Sequence, residues 1–506
     1  MIGNNETKLY DYLTGALIVL ILLLRRFLDT YQSFATVVFC SLTMFLLLVG
    51  LFYYGIVQTV HKTILSRPWS LLALLGSSVY LFVLLVPLGL FGFSNFIKFS
   101  VPISGDQFTW LTVNRYPLAL TAIVGYFGLV LVGIYFSHFA LNLLAADRDH
   151  PIQVLKQTVK LMTLKKYGQK LCLLFSMLVA ICLLIVGLGW LNRLLPNFFL
   201  FFLSQGTIDV VAPFVEIVVI GRLLGIQFAR LTGRGLIAGV GGCLIIFSAL
   251  FAGINPAFSV RPVGHPTIIV HRGVINHNAQ GNTITALKRN SHYHFPFVEM
   301  DIQETKDHHF ICAHDNDVPI PGHGDQEINR LNLAEITKFH HVDMFGDYLR
   351  TANRLKQPLI IELKVTNSSD PQMGTRFAKQ FASQLTVLPH RVHSVGYPFL
   401  RQIKRQIPQI NVGLVTMLNF GNIGKYKVDF YTLQHLTANP FLISSVGRTG
   451  RPVYSWTDDS QLSMMRMEML GITGQVTDQA LRLQKLRVNY QKDRWILLLN
   501  SLQNYL

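Results

Sequence analysis

Hydrophobic and polar positions divide this chain near residue 260. Before that point the pattern is dominated by apolar runs of about 20 residues, the length that crosses a bilayer as a helix. Clear candidates are Phe34–Val57, Ser70–Phe93, Leu118–Ala145, Leu171–Leu191, Ile208–Phe228 and Gly235–Ile254. Tyr12–Leu24 is a shorter seventh that ends at Arg25-Arg26. It lacks the basic start and small-residue cleavage site of a removable signal. After Pro266 the pattern changes to short apolar strands alternating with amphipathic stretches, as in parallel β/α units. Strands are expected at Thr267–Val270, Phe297–Ile302, Phe310–Ala313, Leu359–Leu363, Val392–Val395, Val412–Thr416, Pro452–Trp456 and Ile472–Thr477. Eight strands in this length suit one (β/α)8 barrel, with its chemistry at the C-terminal strand ends. The expected architecture is therefore an N-terminal all-α transmembrane bundle over residues 1–260, a barrel over 261–490 and a tail over 491–506.

Composition sharpens the division. Only 14% of the 506 residues are charged, against about a quarter in ordinary soluble domains. Residues 261–506 hold 14 of the 17 histidines and 19 of the 27 acids. Net charge is +17, shared as +9 and +8 between the halves. That balance fits anionic membrane surfaces or phosphate-bearing substrates. No zinc spacing or RNA-binding signature favours nucleic acid. Four of the five cysteines lie in apolar runs and Cys312 stands alone, so no disulfide framework is available.

Loop lysines and arginines set orientation. Residues 146–170 carry Arg148, Lys156, Lys160, Lys165, Lys166 and Lys170, which places this loop in the cytoplasm. Alternation adds Lys62, Arg67, Arg230 and Arg234, giving ten basic residues inside against five outside. The barrel is then expected outside, on a multi-pass cell-membrane protein. Arg25-Arg26 falls on the wrong side in this scheme, and Phe198–Gly206 is the stretch that would upset the span count by dipping into the bilayer. Asp209, Glu216 and Arg222 lie within Ile208–Phe228. Such groups face a protein interior or an aqueous path, and the plain reading puts Asp209 at the interface and the others in a structural pair. Gly235 and Gly239 fit helix packing and nothing more.

The barrel half carries the chemistry. The first strand runs into His271-Arg272-Gly273, and Glu299 and Asp301 alternate along the second, so both face one side. Two such carboxylates repel unless protonated or bridged by a cation. The third strand leads to His314-Asp315 and the fourth ends Glu362-Leu363-Lys364. Glu299, Asp301 and Glu362 make an oxygen-rich site suited to Mg2+ or Ca2+ rather than zinc. His271 and His314 are placed to trade protons near neutral pH, and Arg272 and Lys364 to hold a phosphate. His292, His294, His308, His309, His340 and His341 read as surface residues without acid partners. His393, Ser394 and the acids form no convincing nucleophilic triad.

Together these motifs, with Asn282-Thr283, Trp456-Thr457 and Thr477-Asp478, resemble the glycerophosphodiester phosphodiesterase family over about residues 264–480. The membrane half resembles, by layout, the multi-span domain fused to such enzymes in some Gram-positive bacteria. The resemblance implies a TIM barrel and metal-dependent hydrolysis of glycerophosphodiesters to glycerol 3-phosphate and an alcohol. It implies Glu299, Asp301 and Glu362 as metal ligands, His271 and His314 as the acid–base pair, and Arg272 with Lys364 at the phosphate. Trp456 would offer an apolar wall to the glycerol carbons. The sequence departs from the family pattern at Gly281, where a glutamate is usual before Asn-Thr, at Gly471–Gln475, and at Ser394-Val395, where Ser-Phe is common. The lost glutamate bears on the metal site, and the other departures bear on substrate choice. Substrates in view are glycerophosphodiesters, lipid headgroups through a lysophospholipase D-like activity, and teichoic-acid-like polymers. Membrane lipid is a further expected partner, and a binding or transport-linked module is the rival from another class.

Overall fold

A computed structural model of the chain describes residues 3–31, 33–60, 75–76, 78–79, 89–145, 150–226, 234–254 and 264–504. They fall into two compact units. One comprises Met1–Ser100, Ala119–Ser259 and Gln491–Leu506, and the other Val101–Leu118 with Val260–Tyr490.

The first unit is helical. Four of its described helices are long and apolar enough to cross a membrane: Phe34–Val60, Arg115–Leu143, Leu164–Leu194 and Phe198–Leu223. The expected span at Ser70–Phe93 lies for the most part outside the described residues. Tyr12–Leu24 is the middle of a 28-residue helix, Gly3–Thr30, that continues through Arg25 and Arg26. The expected Ile208–Phe228 starts ten residues too late. Asn197 caps a helix at Phe198, accepting from the backbone N–H groups of Phe199 and Leu200, and the helix ends at Leu223. Phe198–Gly206 is therefore the opening of this helix and not a separate dip. Asp209 on it meets Arg25 at 3.4 Å and also accepts from Gln205 and Ser248. That ion pair gives one of the two misplaced arginines a half-buried partner within the helical unit.

The second unit is built on a closed parallel barrel. Its strands are β1 (Thr267–Val270), β2 (Phe297–Glu304), β6 (Leu359–Leu363), β7 (Arg391–Ser394), β8 (Asn411–Thr416), β9 (Phe430–Gln434), β10 (Val453–Trp456) and β11 (Gly474–Thr477). Each pairs with the next in parallel, and β11–β1 and β1–β2 pairing closes the ring. Three short strands intervene: β3 (Phe310–Cys312), β4 (Asp317–Ile320) and β5 (Gly324–Glu327). Two sequence expectations need correction here. The stretch Phe310–Ala313 is no barrel stave, because β3 runs antiparallel against the end of β2, with Ile302 opposite Cys312. The stave missed by sequence is β9, the sixth around the ring, whose Phe-Tyr-Thr-Leu-Gln follows a long irregular loop and carries one β-branched residue. Amphipathic helices cover the staves. Met373–Leu385, for example, buries Gly374, Phe377, Ala378, Phe381 and Leu385, spacings of one helical face, against Phe310 and Phe345.

Interior side chains come in layers two residues apart. Ile269, Phe297, Ile360, Phe430, Tyr454 and Val476 form an apolar floor. Arg391 lies over the rings of Phe297, Phe430 and Tyr454 at 4.6, 5.7 and 5.7 Å.

Val101–Leu118 packs on the loops that follow β6, β7 and β8. Val101 accepts from the Asn422 N–H at 2.9 Å, and Ile103 from the Tyr426 hydroxyl at 2.9 Å. A helix, Gly105–Val113, starts at a capping box of Ser104 and Gln107. On it Phe108 meets Tyr426 edge-on, and the Thr109 hydroxyl donates to Val395 O and accepts from Tyr397 N–H. Asn114 then exchanges side-chain hydrogen bonds with Asn367. Position 105 has to be glycine, because a Cβ there would sit 2.0 Å from the Tyr397 ring.

Candidate active site at the barrel mouth

One layer above the floor the same strands present ionisable groups. Ile269 is followed two residues on by His271, Phe297 by Glu299, Ile360 by Glu362, Arg391 by His393 and Val476 by Asp478. Parity alone places them on the inner side, at the C-terminal end.

The turn after β1 is the most constrained part. Arg272 adopts a left-handed φ of +51° and its N–H donates to Glu299 Oε2 at 3.1 Å. Asn282, also left-handed at +57°, staples this turn to β2. Its amide donates to Asp301 Oδ2, its oxygen accepts from the Asp301 N–H, both at 2.9 Å, and its own N–H donates to Arg272 O. Gly281 lies directly beneath, and a Cβ there would come within 2.9 Å of Arg272 Cβ. A longer residue at 281 would therefore displace the arginine, which gives the departure at this position a steric basis.

Charges in the mouth are closely matched. Asp301 is 1% exposed and faces Arg272 Nε at 3.5 Å and Lys364 Nζ at 3.4 Å. Burial opposes its ionisation, but Lys364, His314 and Arg272 together with the Asn282 hydrogen bond outweigh burial and bring its pKa down to about 2. Lys364 also reaches Glu362 at 3.3 Å. Burial works against its charge, yet Glu362, Asp301 and Glu299 hold its pKa above the ordinary lysine value.

The two histidines named from sequence differ. His271 Nδ1 is 2.8 Å from Asp478 Oδ1, which fixes the ring and leaves Nε2 as the nitrogen free to exchange a proton. Burial draws the His271 pKa down, but the Asp478 hydrogen bond and the Glu299 charge raise it above the usual histidine value. His314 is brought in by the loop after β3, where the Ala313 N–H donates to Asp301 O. Its Nδ1 is 2.8 Å from Asp315 Oδ1, and it is half-exposed. Trp456 is half-buried on the rim, its Nε1 donating to Thr416 O at 3.2 Å.

His292, His294, His308, His309 and His341 are exposed and His340 is half-buried, away from this cluster. Three of them do have acid neighbours, contrary to the sequence reading: His308 with Glu304, His309 with Asp307 and His341 with Asp343. Each partner lies within four residues along the chain. The residue sequence reasoning missed is His393. It is 2% exposed, stands beside Glu362 in the β6–β7 register, and joins Glu299 and Glu362 in a group whose donor atoms all lie within 4.8 Å of one another. The available signal was its parity on β7, two residues from Arg391, repeating the alternation of Glu299-x-Asp301.

Buried carboxylates, two fixed cations and two histidines around one opening suit attack on an anionic ester. Residues 271–372 match the profile of the Glycerophosphoryl diester phosphodiesterase family. YhdW of Bacillus subtilis (strain 168), which carries a glycerophosphodiester phosphodiesterase name, is 24% identical over 232 residues, covering 42% of this chain and 93% of that protein. The glycerophosphodiester phosphodiesterase of Caldanaerobacter subterraneus subsp. tengcongensis is 26% identical over 230 residues, with the same coverage. A solved phosphodiesterase from Oleispira antarctica, in complex with the product sn-glycerol-3-phosphate, superposes with a TM-score of 0.38 at 17% identity, covering 44% of this chain and 96% of that one. The match to the Glycerophosphoryl diester phosphodiesterase family thus falls on residues 271–372, the part of the barrel that bears most of the mouth.

Proposed function

We propose that this chain is a membrane-anchored phosphodiesterase that hydrolyses glycerophosphodiesters to glycerol 3-phosphate and an alcohol. The observation that carries the reading is the mouth itself, where His271, Arg272, Glu299, Asp301, Glu362 and Lys364 converge from three neighbouring staves. Arg272 and Lys364 neutralise the diester anion and orient it. His271, held by Asp478, and His314, paired with Asp315, exchange the two protons of the reaction. One takes a proton from the attacking oxygen, water or the glycerol 2-hydroxyl, and the other gives one to the leaving alkoxide. Trp456 walls the glycerol carbons. Glu299, Asp301 and Glu362 are the residues to hold a divalent cation, Mg2+ or Ca2+ by the sequence reading; Glu299 and Glu362 bring donor oxygens within 4.8 Å of each other, and Asp301 stands beside them, held by Asn282, Arg272 and Lys364. Such a cation supplies charge stabilisation where negative charge develops on the phosphorus-bound oxygens.

The test is hydrolysis by the purified full-length protein, read as glycerol 3-phosphate released from glycerophosphocholine and polyglycerolphosphate and as lysophosphatidic acid released from a lysophospholipid. Turnover is expected with chelator-sensitive rates and restoration by a divalent cation. Binding of all three without turnover would favour a transport-linked module. Full turnover in excess chelator would remove the cation from the mechanism.

The basic loop at 150–170 supports a barrel on the extracellular side. In a cysteine-free background, Asp325→Cys on the exposed β4–β5 hairpin is expected to react with an impermeant thiol reagent on intact cells. Lys160→Cys is expected to react only after lysis. The reverse pattern would make the substrate cytosolic.

A further inference from the structure

His393 has no part in the chemistry above, yet it is the most enclosed histidine at the mouth. Its Nδ1 is 3.1 Å from the Thr432 hydroxyl on β9. Its Nε2 is buried without a hydrogen-bond partner and points toward Glu299 Oε1, 3.8 Å away. The ring cannot sink toward the floor, because Phe430 lies beneath it with ring centres 6.2 Å apart. Phe430 in turn fills the space beside Gly413, the residue in register with His393 on β8, where a Cβ would meet that ring at 2.2 Å. A buried nitrogen left without a partner is costly, and here it is held in place from below and from β9.

We propose that His393 Nε2 is a cation ligand which, with Glu299 and Glu362, makes a mixed nitrogen–oxygen site selecting a first-row transition cation such as Mn2+ over Ca2+. Donor atoms bonded to one small cation at about 2.1 Å lie about 3.0 to 4.2 Å apart by geometry; His393 Nε2 and Glu299 Oε1 are 3.8 Å apart, and all three donors lie within 4.8 Å of one another, close enough to draw in on a shared ion. With the Thr432 hydroxyl accepting from Nδ1–H, Nε2 would carry the free lone pair, the usual support for a ligating histidine. Imidazole suits transition cations, whereas Ca2+ takes oxygen ligands. Asp301 is turned to Asn282, Arg272 and Lys364, so a nitrogen from the neighbouring stave adds a donor where an all-oxygen site would have none. The proposal deepens the phosphodiesterase reading and rests on it for its catalytic meaning, but the site is tested by binding alone.

The experiment uses the full-length protein in detergent, loaded with Mn2+ and studied by pulsed electron paramagnetic resonance. Modulation from a directly bound imidazole nitrogen is expected in the wild type and lost in His393→Gln, with Mn2+ affinity falling by about tenfold or more and Ca2+ affinity unchanged. Should that variant fail to fold, Thr432→Val, which removes only the hydroxyl at Nδ1, is expected to shift the nitrogen frequencies. Bound Mn2+ with no nitrogen coupling, together with loss of binding in Glu299→Gln, would overturn the role of His393 and leave the carboxylate site standing. Failure of the wild type to release glycerol 3-phosphate while the nitrogen signal persists would instead sink the phosphodiesterase reading.

Discussion

The floor and the mouth of the barrel are made by the same strands, separated by two residues, and they obey opposite rules. On the floor the one charged group, Arg391, is accommodated by aromatic faces, and the remaining residues are apolar. In the mouth apolar side chains give way to Glu299, Asp301, Glu362 and Lys364, which are nearly as buried but held by charge pairing, and to His393. Apolar burial stabilises a fold, while burying matched charges costs desolvation that pairing at best returns. Stability and chemistry are thereby assigned to adjacent layers of one scaffold, and each layer should answer to a different measurement.

The largest effect is expected in the mouth. His271→Ala and His314→Ala should each lower turnover by about 10² to 10⁴ with little change in melting temperature, read from steady-state rates beside thermal unfolding. Equal damage from His292→Ala, on the exposed surface, would erase the distinction between layers. The floor should show the converse. Phe430→Ala opens a cavity under His393 and should cost about 3–5 kcal/mol of stability, measured by denaturant unfolding. A third, smaller effect lies at mouth height but outside the charge-matched cluster. Asp458 is fully buried, and burial pushes its carboxyl up to about 8 despite the hydrogen bond from Ser455. Between its ordinary value of 3.8 and about 8 the folded state binds more protons than the unfolded one, so this group makes stability fall as pH rises through that window. Asp458→Asn should flatten that fall and raise the melting temperature above pH 8 by a few degrees. A wild-type melting temperature that is level from pH 5 to 9 would count against it.

How much of this was legible in the sequence follows from the range of each signal. His271, Arg272, Glu299, Asp301, Glu362 and Lys364 were readable because a period of two is local, and each sits on or just past a strand with a clear apolar lead-in. The strand total of eight came out right through two cancelling errors: β3 looks like a stave but turns back on β2, and β9 does not look like one. Neither is set by the apolar pattern: β3 is decided by its antiparallel return onto the end of β2, and β9 by its pairing with β8 and β10. His393 offers no motif of its own, and only the β6–β7 register sets it beside Glu362. Asn197 capping moved the start of a helix by ten residues, a matter of one side chain that apolar averaging cannot see. The stretch 101–118 read as a loop between spans, since its meaning lies in Tyr397, Asn422 and Tyr426, about 300 positions away.

That stretch also imposes a rule of arithmetic. The chain leaves the catalytic unit at Leu118 and returns to it at Val260. Because both points belong to one folded body, they share one side of any bilayer, and the number of crossings between them has to be even. The described helices in this interval that begin at Arg115, Leu164, Phe198 and Arg234 satisfy the rule if all four cross and break it if three do. An odd count is thus excluded by folding alone, whichever side the barrel occupies and whatever the loop charges favour.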